Sequence, residues 1–337
     1  MKGQMWPIHG ASKAKRLTWG PPQNQISWAY MKMLREGNKS MKVYDVNPYI
    51  EVYQFSDNVY GLFNQNCDGM GDVWMWLTIG PEKALLVDTA FGIGDMKGLV
   101  DKLTGGMPLI VVNTHGGPDH CLGNTRFGRV YCNEYDYPSV KARGKQSSWD
   151  YLFDKSGNNI WLQFDKKDIP VYKDYELVPV KNGHIFNLGG DHDVEVVWTG
   201  GHSPGHSMFL DKKNRRIFAG DVVCSDVIAC GGGPRPGTEF GQYLNLTTYR
   251  DNLTKLVARR DEYDYLFPGH FMMNLENTVL VHILEALNAI IANPDSYNYK
   301  IVEVSGNGGP SQERMFKFVQ GFSTIAYTKN GVYPPKA

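Results

Sequence analysis

The chain has 337 residues, 42% of them hydrophobic and 21% charged, with 35 basic residues balanced by 35 acidic ones. That length suits one large domain or two modest ones and can bury a core without disulfide or metal staples; the composition excludes disordered, collagenous and coiled-coil classes. A neutral chain has no global field to draw in a phosphate backbone, so no nucleic-acid partner is expected.

The five cysteines (Cys67, Cys121, Cys132, Cys224 and Cys230) are odd in number and include no CxxC pair. A disulfide framework is therefore not expected, and a reducing compartment is the simpler reading. The N-terminal MKGQMWPIHGASKAKR is charged and lacks the apolar stretch of a secretory signal. No window reaches the roughly 18 apolar residues of a membrane span. The expectation is a soluble, cytoplasmic protein with no membrane partner.

Residues 1–45 read as an N-terminal arm with a short helix in ISWAYMKMLREG, which Gly37 would end. Trp28, Tyr30, Met31 and Leu34 give it an apolar face to pack on the body or on a second subunit, which suggests a homodimer. The main domain then runs over 46–337. PYIEVYQFSDNVYGLFNQN alternates as a hairpin about Asp57-Asn58, and VWMWLTIGPEKALLVDTA repeats the pattern about Gly-Pro. GDMKGLVDKLTGG reads as an amphipathic helix closed by Gly105-Gly106. LIVVNTH is a buried strand, and VYCNEYDY another short strand or a turn. Residues 143–170 interleave polar residues with aromatics and read as an inserted lid. HDVEVVWTGG is a strand, SMFLDKKNRRIFAGDVV a hairpin, 243–260 a helix, DYLFPGH a strand and NTVLVHILEALNAIIANP a helix.

Four strand ends carry metal-ligand side chains beside glycine. THGGPDH supplies His115, Asp119 and His120; TGGHSPGHS supplies His202, with His206 nearby; FAGDVV supplies Asp221; FPGH supplies His270. Glycine lets the backbone turn sharply and approach an ion closely. Imidazole with carboxylate suits zinc, iron or manganese. Ligands from distant segments meet when a sheet presents its strand ends along one edge. His9, His184, His192 and His282 have no such partner pattern.

The ordered set resembles the metallo-β-lactamase-fold hydrolases over roughly residues 50–275. DNVYGLF and EKALLVDTAFG resemble the opening strands, with Asp88 in the turn beside the site. VVNTHGGPDHCLGN resembles the H-x-H-x-D-H loop, TGGHSPGHS the T-x-G-H-T-P-G-H loop, IFAGDVV the F-x-G-D strand, and LFPGH the P-G-H final ligand. The resemblance implies an α/β fold, the four-layer αβ/βα sandwich, with the site at one edge of two sheets. It implies one metal position from His115, a second histidine and His202, another from Asp119, His120 and His270, and Asp221 bridging them. It places Gly117 where the family has that second histidine.

Three readings of Gly117 follow. The protein is a mononuclear enzyme using the complete second position; a neighbour such as Cys121 or His206, or a substrate atom, replaces the imidazole; or catalysis is impaired, naturally or by a deliberate substitution. His206 orients its loop, and Asp88 orients a metal-site histidine. The lead reading is a metal-dependent hydrolase with one or two zinc ions, iron and manganese being the other metals considered. Asp119 orients the nucleophile while serving as a ligand. The substrate is a small molecule, apolar or aromatic, in a pocket walled by Trp74, Trp76, Trp149, Tyr151 and Trp161, with Arg235 on a carboxylate. Lactone, ester or amide hydrolysis comes first and thioester hydrolysis next. A mononuclear iron oxygenase and a ligand-binding protein on a decayed enzyme fold are the alternatives.

Overall fold

The computed structural model describes residues 13–17, 40–65, 67–69, 71–234, 237–303, 311–321 and 323–335. The helix expected in ISWAYMKMLREG and the pocket residue Arg235 lie outside them.

Short strands β1 (Lys15–Arg16) and β2 (Lys42–Tyr44) precede the hairpin of β3 (Asn47–Ser56) and β4 (Val59–Asn64). The hairpin closes with Ser56 opposite Val59, so Asp57-Asn58 is the turn that the alternation predicts. β5 (Val73–Ile79) and β6 (Ala84–Val87) form the second hairpin, where Gly80 N–H donates to the Lys83 carbonyl at 2.8 Å. Helix α1 (Met96–Thr104) starts where the Asp95 side chain accepts from Gly98 N–H, and it ends at Gly105 in the left-handed conformation, φ 68°. β7 (Leu109–Val112) follows, then the single turn α2 (Pro118–Cys121), β8 (Arg129–Asn133) and α3 (Tyr137–Ala142). The insert at 143–170 contributes β9 (Leu162–Gln163), which pairs with β1, and β10 (Glu176–Val180) follows it.

The second half runs through β11 (Ile185–Asn187), β12 (Asp193–Trp198), β13 (Ser207–Asp211), β14 (Arg216–Gly220) and β15 (Val227–Ala229). Helix α4 (Leu246–Val257), β16 (Tyr265–Pro268), β17 (Leu275–Glu276) and helix α5 (Thr278–Ala292) come next. Three strands that the sequence reading passes over close the chain: β18 (Tyr299–Glu303), β19 (Gln312–Val319) and β20 (Ser323–Tyr327).

β2 to β8 and β10 make one eight-stranded mixed sheet, in the order β10-β8-β7-β6-β5-β4-β3-β2. β11-β12-β13-β14-β16-β17 make a second sheet, and β15-β20-β19-β18 a smaller third. Side-chain alternation on the two large sheets creates the layers. Val73, Met75 and Leu77 of β5 pack toward α1 with Met96, Leu99 and Val100. Trp74 and Trp76 of the same strand point the other way, against Phe209, Phe218 and Phe267 of the second sheet. Met208 and Leu210 of β13 turn outward to Leu253 of α4 and Ile283 of α5. The result is helix, sheet, sheet, helix: the αβ/βα sandwich.

This packing corrects the pocket reading of Trp74 and Trp76. Both are 1% exposed, their indoles stack 5.4 Å apart, and their N–H groups donate to the carbonyls of Phe271 and Pro268. They staple the two sheets together. His192 also has a partner: it lies 3.0 Å from buried Asp211, which accepts from Thr78 of the facing sheet. All five cysteines are buried thiols, and none is in a disulfide. No helix among the described residues is long and apolar enough to cross a membrane.

Candidate metal centre

The four motif loops leave the C-terminal ends of β7, β12, β14 and β16, and the fold brings those ends together. Val73 at the start of β5 bridges His270, and Trp74 N–H donates to the Gly269 carbonyl at 2.7 Å, so the two sheets meet at the site. His115, Asp119, His120 and His270 are each no more than 6% exposed; His202 and Asp221 are somewhat more open.

The imidazole Nε2 atoms face one another. His120 Nε2 lies 3.1 Å from His270 Nε2, and His115 Nε2 lies 3.2 Å from His202 Nε2. Asp221 sits among them, with Oδ1 3.2 Å from His120 Nε2 and Oδ2 3.2 Å from His270 Nε2. Asp119 Oδ2 is 3.4 Å from His270 Nε2 and 3.5 Å from His120 Nε2. Two overlapping groups could hold an ion: His115, His120 and Asp221, and Asp119, His120 and His270, each with its donor atoms within 4.8 Å of one another.

The other ring nitrogens are fixed from behind. His120 Nδ1 reaches Asp88 Oδ2 at 2.8 Å, His270 Nδ1 the Asp72 carbonyl at 2.8 Å, and His202 Nδ1 the Ala229 carbonyl at 2.7 Å. Thr114 Oγ1 donates to Asp88 and stands 3.1 Å from His115 Nδ1, so it accepts from that ring. Acceptors behind every Nδ1 assign its proton there and leave each Nε2 with a lone pair aimed at its neighbours. Four inward lone pairs and two carboxylates repel one another unless a cation lies between them. Asp221 Oδ1 is also buried with no hydrogen-bond donor among the described residues. The donor set therefore fits a divalent metal.

Electrostatics point the same way. Burial alone would depress His120, yet Asp221, Asp119 and Asp88 hold it well above its ordinary value. Burial likewise opposes the His270 charge, but Asp221 and Asp119 push that ring up to about 10. Asp221, which burial would raise, is held well below the usual carboxylate range by His120, His270 and His115. His115 goes the other way, lowered by burial and then by the neighbouring His120. The carboxylates create a demand for positive charge at the Nε2 atoms.

His206 has no donor to spare. Its Nδ1 faces Thr199 Oγ1 at 2.8 Å, and its Nε2 accepts from Asp221 N–H at 3.0 Å. It holds the β14 end against the TGGHSPGHS loop. Asp88 takes Thr114 N–H and Thr114 Oγ1–H in addition to His120. Its φ of 65° places the carboxylate in the turn after β6. Asp136 escapes the sequence reading. It is fully buried and accepts from Gly116 N–H at 2.9 Å, Ser203 Oγ–H at 2.6 Å and Gly205 N–H at 2.6 Å. One carboxylate thus ties the His115 loop to the His202 loop.

Gly117 has ordinary extended dihedrals, φ −62° and ψ 137°. A Cβ there would point into the cluster, 2.6 Å from His115 Nε2 and 2.9 Å from Asp119 Oδ1. The position faces the metal centre, and the end of the His115 ring fills the space in front of it.

Above the cluster is a cavity of about 600 Å³, lined by His115, Gly117, Asp119, His202, Asp221 and His270 together with Asp68, Arg143, Tyr151, Val227, Phe271 and Arg314. Of the expected aromatic walls, Tyr151 is present, its hydroxyl donating to Asp68 at 3.0 Å. Trp149 is not: it is 2% exposed in the core beside α1 and donates to the Phe91 carbonyl. Trp161 packs on Gly69, where a Cβ would fall 2.6 Å from its ring, and is also absent from the lining. Those aromatic residues answer to packing, which leaves one aromatic of the insert at the cavity.

A profile of the metallo-beta-lactamase superfamily matches residues 68–270, more than half of the chain. The chain belongs to the metallo-beta-lactamase superfamily. The superfamily makes it a hydrolase and implies a divalent metal, for which the cluster has the side chains. The acyl-coenzyme A thioesterase MBLAC2 of Homo sapiens is 23% identical over 214 residues, covering 58% of this chain and 72% of that protein. Its counterpart in Gallus gallus is 22% identical over 219 residues, 59% of this chain and 72% of that one. A beta-lactamase domain protein from Burkholderia ambifaria superposes with a TM-score of 0.53 at 16% identity, covering 74% of this chain and 77% of its own, a likeness of fold.

Proposed function

We propose that this superfamily member is a metal-dependent thioesterase acting on a small acyl thioester of the acyl-coenzyme A type. The observation that carries the metal half is the convergence of four Nε2 lone pairs on Asp221 and Asp119. The thioester half rests on the similarity to proteins named as acyl-coenzyme A thioesterases, and it moves thioesters ahead of the lactones, esters and amides that sequence reasoning ranks first.

In this reading zinc is held by His115, His202, Asp221, Asp119, His120 and His270, with Gly117 leaving one side of the cluster a ligand short. A divalent cation there supplies an activated water and a Lewis acid for the carbonyl oxygen. The chain's own residues do the rest. Asp88, Asp72 and Ala229 keep the protons of their histidines on Nδ1, which leaves each Nε2 available. Asp119, at the N-terminal turn of α2, orients the attacking water and can accept its proton. Val227, Ala229 and Phe271 give the acyl chain an apolar wall.

The test is release of free thiol from acyl-coenzyme A by protein of known metal content, followed with a thiol-reactive dye. Thiol release that falls on chelation and returns with zinc supports the reading. Zinc-loaded protein that leaves thioesters intact while opening a lactone, ester or amide would overturn the thioester assignment. Iron-loaded protein that consumes oxygen would replace hydrolysis altogether.

A further inference from the structure

The cavity carries charge that bond cleavage does not use. Asp119 and Asp221 face the histidines. Beyond them the lining includes Arg143, Arg314 and Asp68, whose carboxylate accepts from Tyr151.

Arg143 stands on a fixed base. It caps α3, its N–H donating to the Val140 carbonyl at 3.1 Å. Its own carbonyl accepts from Lys145 N–H at 2.8 Å and Ser148 Oγ–H at 2.7 Å. Helix α3 is seated on the THGGPDH loop: a Cβ on Gly116 would fall 2.0 Å from Ser139 Oγ and 3.2 Å from Val140 N. The root of Arg143 therefore keeps its place relative to His115 and Asp119. Among the described residues no carboxylate forms an ion pair with Arg143; Arg126, Arg216 and Arg260 have none either, but they do not line this cavity. Arg314 reaches the same cavity from β19 in the C-terminal sheet, half-buried, and its charge is felt at buried Cys230. A guanidinium presents a planar fork of donors that matches a carboxylate or a phosphate.

We propose that Arg143 and Arg314 select substrates that carry an oxyanion, a carboxylate or a phosphate, at a distance from the bond that is cut. The inference rests on the thioesterase reading and names its substrate class: an anionic acyl thioester. The oxyanion is either a phosphate of the thiol carrier or a terminal carboxylate on the acyl group.

Three substrates separate the possibilities: an acyl thioester of N-acetylcysteamine, which is neutral; the same thioester with a terminal carboxylate on its acyl chain; and the acyl-coenzyme A. Each is assayed with the unsubstituted protein and with Arg143→Gln and Arg314→Gln. Loss of a charge-assisted bond lowers kcat/KM on the anionic substrate, relative to the neutral one, by about 10- to 100-fold through KM. A fall with acyl-coenzyme A alone assigns the phosphate, and a fall with the carboxylated thioester assigns the acyl carboxylate. Equal loss on neutral and anionic substrates, or no loss on any, overturns the proposal. If no thioester is cleaved, the thioesterase reading fails by itself, and calorimetric titration of coenzyme A and of glutarate decides the anion site. Binding that either substitution weakens upholds it, and binding that is absent or indifferent to both refutes it.

Discussion

Gly117 is where one substitution tests the organisation of the metal centre. Its dihedrals are open to any residue, so no backbone strain demands glycine. An added Cβ would stand 2.6 Å from His115 Nε2, and ordinary contact begins at 3.4 Å, so the ring end has to retreat by about 0.8 Å. Metal sites tolerate ligand-distance errors of only about 0.2 Å. Gly117→Ala should therefore pull His115 out of its metal position and offer nothing in exchange, with a loss on the order of 10- to 100-fold in metal affinity. Gly117→His also displaces the ring end, but its imidazole is itself a ligand, so an ion that recaptures His115 beside it has one nitrogen more than in the unsubstituted chain. The assay is elemental analysis of protein purified without chelator, followed by calorimetric titration of zinc into the stripped protein. The unsubstituted chain is expected to hold about one tight zinc, Gly117→Ala to weaken any looser binding, and Gly117→His to gain a second tight ion. Gly117→Ala that binds zinc as the unsubstituted chain does, together with Gly117→His that gains none, would refute a two-position cluster arranged about Asp221.

Two further substitutions probe the surroundings. Asp136→Ala strips the acceptor from Gly116 N–H, Gly205 N–H and Ser203 Oγ–H, and each buried donor left alone costs about 1–3 kcal/mol. It should lower the melting temperature and weaken zinc binding together; a melting shift with unchanged zinc affinity would make Asp136 purely structural. Asp226 tests pH dependence away from the cluster: it is 6% exposed, its Oδ1 has no donor among the described residues, and burial raises its carboxyl to about 6. A raised folded-state value means that the folded protein binds the extra proton, so stability is full below about pH 4 and falls as pH climbs through about 6. Asp226→Asn removes the penalty and should stabilise the protein by about 1–2 kcal/mol above pH 6, solvent contact discounted, and by nothing near pH 4. Melting curves across that range check it, and an equal shift at both ends would sink the burial argument.

What could be read from the sequence was whatever is local. A ligand at a strand end followed by glycine is a short-range pattern, so His115, Asp119, His120, His202, Asp221 and His270 could be named from their own neighbourhoods, and the fold does bring them together. Relations between distant loops were out of reach. Asp136 lies in NEYDY, and nothing there announces that it will bind Gly116 and Gly205. The aromatic pocket failed for another reason. In VWMWL both faces of the strand are buried, so alternation assigns Trp74 and Trp76 to one face without saying whether that face is a pocket or the inter-sheet core. QERMFKFV and STIAY read as strands by their β-branched and aromatic content, but a reading anchored on 50–275 stops short of them, and with them of Arg314.

THGGPDH shows how far a family resemblance reaches. The family resemblance puts residue 117 at a ligand position, and a Cβ built there would aim at His115 Nε2 and Asp119 Oδ1. Direction is a property of the backbone and survives the loss of the side chain. What fills the gap is not. The His115 ring lies across it, 3.2 Å from His202, and His120 stands in both candidate ligand groups. A glycine read as a hole in the sequence is, in the folded chain, a place where the end of the His115 ring stands. An imidazole added there thus has to displace a ligand before it can serve as one, and the metal count of Gly117→His measures that competition directly.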